Sequence, residues 1–314
     1  MNKLVSLVAP FYNEAGNVAE FFRRVAAVAA SLPQYDFEVI AVNDGSRDAT
    51  WQELRQAHAT HARVVIVDLS RNFGKEAALT AGLDRANGDA VVPIDSDLQH
   101  PPELIADMLA QWERGAEVVL AQRVDRETDG LMQKLSAGLF YRLHNRISQV
   151  RVPYNVGDFR LMDRAVVTAL RRLPENHRFM KGLFAWLGFR TVTVPYTVAE
   201  RVAGESSFNF WRLWNLALEG ITSFSTAPLR VWTYLGLGTS AVAMLYAALI
   251  VLKTLIGGVD VPGYASLMVS VMFFGGVQLI GIGVLGEYIG RIYHEVKRRP
   301  VYLVRESHGE QTDD

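Results

Sequence analysis

The chain contains no cysteine, which excludes both a disulfide framework and a thiolate metal site and agrees with a reducing cytoplasm. The opening stretch Met1–Pro10 lacks the marks of a secretory leader. Its apolar run is too short, and it ends at Pro10 without a small-residue cleavage site. It reads instead as a first buried strand. Net charge is nearly absent as well, at −1 over 314 residues, yet that balance hides an asymmetry. Residues 1–130 carry a net −8, residues 131–230 a net +8 and residues 231–314 a net −1. Basic charge beside apolar segments favours anionic lipid headgroups, at on the order of 1 kcal/mol per residue near the surface. That reading is preferred here over a nucleic-acid surface.

What the chain has in quantity is apolar sequence, half of all residues. Val231–Leu252 carries no charge and as a helix extends about 33 Å, enough for a bilayer core. Ala265–Gly286 is a second uncharged segment, and the Gly/Pro-containing stretch Lys253–Gly263 between them reads as a hairpin loop. Arg230 precedes the first span, and Arg291, Lys297, Arg298 and Arg299 follow the second, against Lys253 in the linker. The positive-inside rule then puts both termini in the cytoplasm of a multi-pass inner-membrane protein. The expected organisation is a cytoplasmic domain over 1–230, a two-helix transmembrane hairpin over 231–290 and a cytoplasmic tail over 291–314, basic and then acidic.

Before the spans, apolar runs at Leu4–Val8, Phe37–Val42, Val64–Val67, Ala90–Ile94 and Val118–Ala121 alternate with helical patterns. The helical stretches lie near Asn17–Ser31, Ala49–Ala59, Lys75–Ala86 and Pro102–Arg114. This rhythm predicts an α/β fold with a mostly parallel sheet covered by helices on both faces. In such sheets ligands gather at the carboxyl ends of the strands. Those ends carry Pro10 to Glu14, Asn43 to Ser46, Asp68, Asp95 to Asp97, and Gln122 with Arg123.

The densest of these ends is Asp95-Ser96-Asp97-Leu98-Gln99-His100, where two carboxylates leave a buried strand two residues apart. Such a pair can hold a hard divalent cation, which bridges nucleotide phosphates and neutralises a departing diphosphate. This is the chemistry of a nucleotide-dependent transferase. The alternative is structural: Asp95 caps a turn, and Asp97 leads into the helix that Pro101-Pro102-Glu103 opens.

Four motifs taken together, Pro10-x-Tyr12-Asn13-Glu14, Val42-Asn43-Asp44-Gly45-Ser46-x-Asp48, Arg71-Asn72-x-Gly74-Lys75 and Asp95-x-Asp97-Leu98-Gln99, resemble those of the family 2 glycosyltransferases. With two C-terminal spans added, the chain is similar to the polyprenyl-phosphate glycosyltransferases among them. The resemblance implies a GT-A nucleotide-sugar-binding domain, a nucleotide-sugar donor, a Mg2+ or Mn2+ ion and a polyprenyl phosphate acceptor. It also implies a homo-oligomer, with a tetramer as the candidate state. By residue, it puts Pro10, Tyr12, Glu14 and Asp44 around the base and ribose of the donor. Asp95, Ser96 and Asp97 fall at the diphosphate and metal, with Gln99 as a further oxygen ligand. Arg123 would clamp a diphosphate oxygen, which its forked donors suit. Lys75 reads either as a donor-side cation or as a solvated residue in the first turn of a helix.

On the acceptor side, Asp158 in Gly157-Asp158-Phe159-Arg160 matches the family's acceptor-site aspartate, with its role open between base and orienting group. The alternative is a turn residue following Asn155-Val156-Gly157. The segment Arg201-x-x-Gly204-Glu205-Ser206-Ser207-Phe208 looks like the acceptor-phosphate loop. Arg201 supplies charge, Gly204 allows close backbone approach and Ser206 donates a hydrogen bond. Ser207 stands where many relatives carry lysine, which lowers the positive charge of the loop. Amphipathic segments at about 131–148 and 208–226 read as membrane-interface helices, with core-facing helices of the domain as the alternative. UDP-glucose and undecaprenyl phosphate are the expected substrates, for cell-envelope glycosylation. A processive polysaccharide synthase is the competing enzyme reading. Its usual Gln-x-x-Arg-Trp motif has only Gln52-x-x-Arg55 as a near match, followed by Gln56. A non-catalytic membrane sensor or scaffold is the competing reading from outside the enzymes.

Overall fold

The computed structural model describes residues 2–123, 156–175, 180–196, 227–257 and 263–309. Five strands follow the expected rhythm: β1 (Lys3–Phe11), β2 (Tyr35–Asn43), β3 (Val64–Leu69), β4 (Ala90–Pro93) and β5 (Val118–Arg123). Between them run α1 (Ala15–Ser31), α2 (Thr50–Thr60), α3 (Lys75–Arg85) and α4 (Ile105–Glu113), the last entered through a short 3-10 turn at Pro102–Leu104. Proline at the first turn costs nothing there, because its missing N–H would have no helical partner.

Three further strands were not legible as strands: β6 (Val156–Asp163), β7 (Thr191–Tyr196) and β8 (Val304–His308). Among the described residues all eight form one sheet in the order β7-β5-β6-β4-β1-β2-β3-β8. Strands β1 to β5 run parallel, while β6 lies antiparallel between β4 and β5, and β8 lies antiparallel on β3. The sheet is therefore mostly parallel, and the carboxyl ends of β1 to β5 share one edge.

Period-two alternation divides β1 between the two faces of the sheet. Val5, Leu7, Ala9 and Phe11 join one core with α1, α2 and α4, whereas Val8 joins the other with α3. The second core is completed by α5 (Arg164–Arg171) and α6 (Met180–Trp186), through Val166, Leu170, Met180 and Phe184. Phe11, Phe21 and Phe22 stack edge to face at 5.3 and 5.5 Å, each pair adding ~0.5–1.5 kcal/mol beyond its area burial. On the opposite face α3 lies almost on the sheet, because a side chain at Gly82 would come within 2.3 Å of Val8 Cγ1. That closeness fixes the height of the N-terminus of α3, where Lys75 stands.

Two long helices follow, α7 (Ala227–Gly257) and α8 (Tyr264–Val296). The helix α7 runs through Lys253 to Gly257, so the connection is shorter than the Lys253–Gly263 loop read from the sequence; lysine is a good helix former. The two pack at Gly281, where an added Cβ would lie 3.5 Å from the Trp232 ring. Within α8, Ser270–Val296 is long and apolar enough to cross a membrane and is not covered by protein. The helix α8 continues past Arg291 to Val296, and the chain then returns to the sheet as β8. The amphipathic segments at about 131–148 and 208–226 lie outside the described residues.

Candidate active site

At the carboxyl edge of the sheet an open cleft of about 270 Å3 is lined by Pro10, Phe11, Tyr12, Glu14, Asp44, Asn72, Gly74, Lys75, Asp95, Ser96 and Asp97. Eight of these are residues that the sequence singled out for the donor or metal. Gln99 and Arg123 are not among the lining residues: Gln99 is exposed, and Arg123 ends β5 in register with Tyr196.

The cleft is built from strand exits. Strand β4 is fully buried, and Asp95 and Ser96 leave it half-buried and buried respectively, whereas Asp97 is exposed. Leu98 takes a left-handed φ of 57°, uncommon for a residue with a branched side chain. This turns the chain so that Gln99 N donates to Asp97 Oδ1 at 3.1 Å. Gln99 thus supports the turn through its backbone, and the structure gives no support for its side chain as a ligand.

Asp44, buried at the end of β2, accepts from Phe73 N at 2.7 Å with one oxygen and from Gly74 N at 2.9 Å with the other. Its carboxylate therefore holds the loop that feeds α3, a duty that the donor-binding assignment alone did not foresee. Burial raises its pKa, and the two backbone N–H groups only partly offset that rise. Gly45 makes the contact possible: its φ is 64°, and a Cβ there would meet Arg71 C at 2.3 Å and Asn72 N at 2.5 Å. Asn13, also left-handed at φ 56°, locks the β1 exit to the β2 exit, donating from its N to Ser46 Oγ and accepting from Arg47 N.

Lys75 is held by two carboxylates and is not merely a solvated residue of the first helical turn. Its Nζ lies 2.6 Å from Asp95 Oδ1 and 2.9 Å from Asp158 Oδ2. Burial acts to lower its pKa, but the charges of Asp158 and Asp95, with the hydrogen bonds to both, outweigh burial and hold it above the ordinary lysine value. Lys75 is thus a fixed cation between Asp95, at the exit of β4, and Asp158, on β6. Asp158 in turn lies within β6 rather than in a turn. Gly157 and Asp158 looked like turn formers; they lie in β6 where its pairing with β5 shifts register, between the Arg160 and Val156 partners.

Two residues at this corner, His100 and Arg160, stand inside the motifs but had no role assigned from the sequence. Arg160 is buried and donates to Gly157 O at 2.8 Å and to Asp158 O at 3.3 Å. Its guanidinium lies 3.9 Å from the Phe184 ring centroid. Burial pushes its pKa down to about 10, so it remains charged at neutral pH while bracing the backbone of Asp158. His100 packs against Phe159 and Tyr196, and its Nδ1 is buried without a hydrogen-bond partner, 3.6 Å from Asp95 Oδ2. Burial lowers its pKa more than the nearby carboxylates raise it, so it acts as a neutral wall. Aspartates, lysines and glycines in motifs carry a chemical signal; an arginine inside a strand carries none until its neighbours are known.

A hard cation fits the donor set: Asp95 and Asp97 present carboxylate oxygens to the cleft, and Mg2+ is commonly bound by one or two carboxylates plus substrate phosphates. Among the described residues no three acidic or histidine side chains form a cage by themselves. The acceptor-loop residues Arg201, Gly204, Ser206 and Ser207 lie outside the described residues.

The fold and cleft define a GT-A-like glycosyltransferase. The model of glycosyl transferase family 2 matches residues 6–171, and the GtrB C-terminal hairpin model matches residues 227–292. The SfII prophage-derived bactoprenol glucosyl transferase of Shigella flexneri is 54% identical over 304 residues, covering 97% of this chain and 98% of that protein. A prophage bactoprenol glucosyl transferase homolog of Escherichia coli K12 is 51% identical, covering 96% and 98%. Among solved structures, a mannosyltransferase from Pyrobaculum calidifontis in complex with GDP-Man and Mn2+ aligns at a TM-score of 0.49 and 18% identity, covering 94% of this chain and 88% of that one. The chain belongs to glycosyl transferase family 2, in its polyprenyl-phosphate group.

Proposed function

We propose that this enzyme transfers one glucose from UDP-glucose to undecaprenyl phosphate at the cytoplasmic face of the inner membrane, with inversion at the anomeric carbon. The observation that carries this reading is the single ammonium of Lys75 shared by Asp95 and Asp158. It draws the diphosphate side of the cleft and the acceptor-site aspartate into one charge cluster. The similarity to bactoprenol glucosyl transferases supports glucose as the sugar and a polyprenyl phosphate as the acceptor.

The acceptor brings its own nucleophile. A phosphomonoester has a second pKa near ~6 and is mostly a dianion at neutral pH, so positioning and charge compensation outweigh general-base help. Attack by its oxygen opposite the departing nucleoside diphosphate inverts the sugar carbon. Asp158, already paired with an ammonium, is better suited to orient than to take a proton. Asp95 and Asp97 would hold Mg2+ or Mn2+, which when bound neutralises charge on the diphosphate. In the same proposal Tyr12, Glu14 and Asp44 flank the nucleoside, Arg123 would clamp a diphosphate oxygen from beyond the described cleft, and Arg201 with Gly204, Ser206 and Ser207 receives the lipid phosphate. Both long C-terminal helices would span the bilayer, with the termini and catalytic domain cytoplasmic and the chains associated as homo-oligomers.

The test is to incubate membranes containing the enzyme with labelled UDP-glucose, other nucleotide sugars, undecaprenyl phosphate and Mg2+ or Mn2+, and then extract lipid. Label from UDP-glucose in a single-sugar lipid is expected. Label in a long polymer, or none in lipid from any donor, overturns the reading.

A further inference from the structure

The C-terminal strand β8 does more than close the sheet edge. Its Arg305 is largely exposed, yet Nη1 donates to Asp68 Oδ2 at 3.0 Å and Nη2 to Ser70 O at 2.7 Å. Asp68 is buried, 2% exposed at the end of β3, and its other oxygen accepts from Asn43 Nδ2 at 2.6 Å. Asn43 Oδ1 in turn accepts from Ser46 N. Ser70 N donates to Leu303 O at 2.8 Å. The strap therefore grips both ends of a short path: Asn43 precedes Asp44, and Ser70 precedes the loop whose Phe73 and Gly74 N–H groups Asp44 holds.

We propose that Arg305 is a positioning residue of the donor cleft. Through Asp68 and Ser70 it fixes the β2 and β3 exits, and so the placement of Asp44 and Lys75. Because β8 follows α8 by seven residues, Lys297 to Leu303, the same strap ties the cleft to the exit of the apolar helix. A buried carboxylate stripped of one charged donor is strongly disfavoured, and this gives the proposal a specific rescue.

The kinetic part rests on the function proposed above; the exchange part does not. In the full-length enzyme in detergent, Arg305→Ala should speed amide hydrogen exchange across residues 43–46 and 70–74, while α4 exchanges as in the wild type. Arg305→Lys should restore part of the protection, and adding Asp68→Asn to Arg305→Ala should restore more, because the buried charge has gone. With UDP-glucose, donor KM should rise by about tenfold in Arg305→Ala while kcat stays within about twofold. Unchanged exchange at 70–74, or uniform loss of protection through α4, overturns the proposal, as does a fall in kcat at constant KM. If Asp68→Asn brings no recovery, the charge-based account fails. A wild-type enzyme that uses no UDP-glucose defeats the function reading alone, since the exchange result still decides the role of Arg305.

Discussion

Lys75 and Asp97 show how differently two charged residues of one cleft can be employed. Lys75 is bound to both carboxylates, so replacing it with methionine keeps the aliphatic stem but leaves Asp95 and Asp158 facing each other without a counter-charge. Lys75→Met should lower kcat/KM by about 10–100-fold, with Lys75→Arg retaining more, because charge placed where a leaving group departs acts on the transition state. Steady-state kinetics with labelled donor check this, and wild-type activity in Lys75→Met would reduce the ion pair to packing. Asp97 uses Oδ1 to accept from Gln99 N, a bond that an asparagine oxygen can still accept. Asp97→Asn therefore removes charge without removing the turn. It should abolish metal-dependent transfer, by at least ~100-fold, with membrane insertion and thermal stability unchanged. Transfer at the wild-type rate would take Asp97 out of the metal site.

At the scale of elements, the cleft depends on exits and loops more than on the strands behind them. Gly45→Ala forces a Cβ onto the backbone of Arg71 and Asn72 at a left-handed φ. The strain and overpacking together should cost about 2–4 kcal/mol, read as a lower denaturation midpoint with donor affinity falling alongside. The β8 strap makes a second case. Tyr302 OH donates to Asp84 Oδ2 at 2.8 Å. Burial first, then the charge of Asp84 and the bond to it, raise the Tyr302 pKa. A group raised in this way stabilises fully below its unfolded value, near ~10 for tyrosine, and that contribution is lost as pH rises through the higher folded value. A difference titration at the tyrosinate absorption band, wild type minus Tyr302→Phe, should show one phenol ionising above ~10.

The sequence revealed those elements that signal themselves locally. Strands β1 to β5 are continuous apolar runs because parallel strands are buried on both faces, and the cleft residues were visible because chemistry clusters at their ends. Strand β6 hid because Gly157, Asp158, Arg160 and Asp163 interrupt its apolar pattern, each for a reason found only in space. Asp163 accepts from Ala165 N to cap α5 and from Trp112 Nε1, while Arg160 braces the strand start. Strand β8, Val304-Arg305-Glu306-Ser307-His308, is polar because it is an edge strand. Its partners Asp68 and Trp51 lie more than two hundred residues away in sequence, beyond any local pattern.

For the whole molecule, the decisive contrast is between a domain that buries its apolar side chains and a C-terminal part that displays them. Phe11, Leu54, Ile66 and Phe159 are almost wholly hidden, whereas Leu267, Met272, Phe273, Leu279 and Ile280 along α8 are each more than 60% exposed. In water such a surface is an aggregation hazard; in a bilayer it is the expected solvent-facing side. Leu279 separates the two cases, since it is 70% exposed and far from either end of α8. Arginine there, at a mostly exposed position, need not overpack the protein, but in hydrocarbon it costs ~2.5–3.5 kcal/mol on insertion scales and more by simulation. Leu279→Arg should therefore lower the carbonate-resistant, membrane-integrated fraction. A matched Lys297→Arg control, beyond the apolar helix, should leave it unchanged. If Leu279→Arg remains fully integrated, α8 is not lipid-facing at that point, and the path by which a lipid phosphate reaches Lys75 and Asp158 must begin elsewhere.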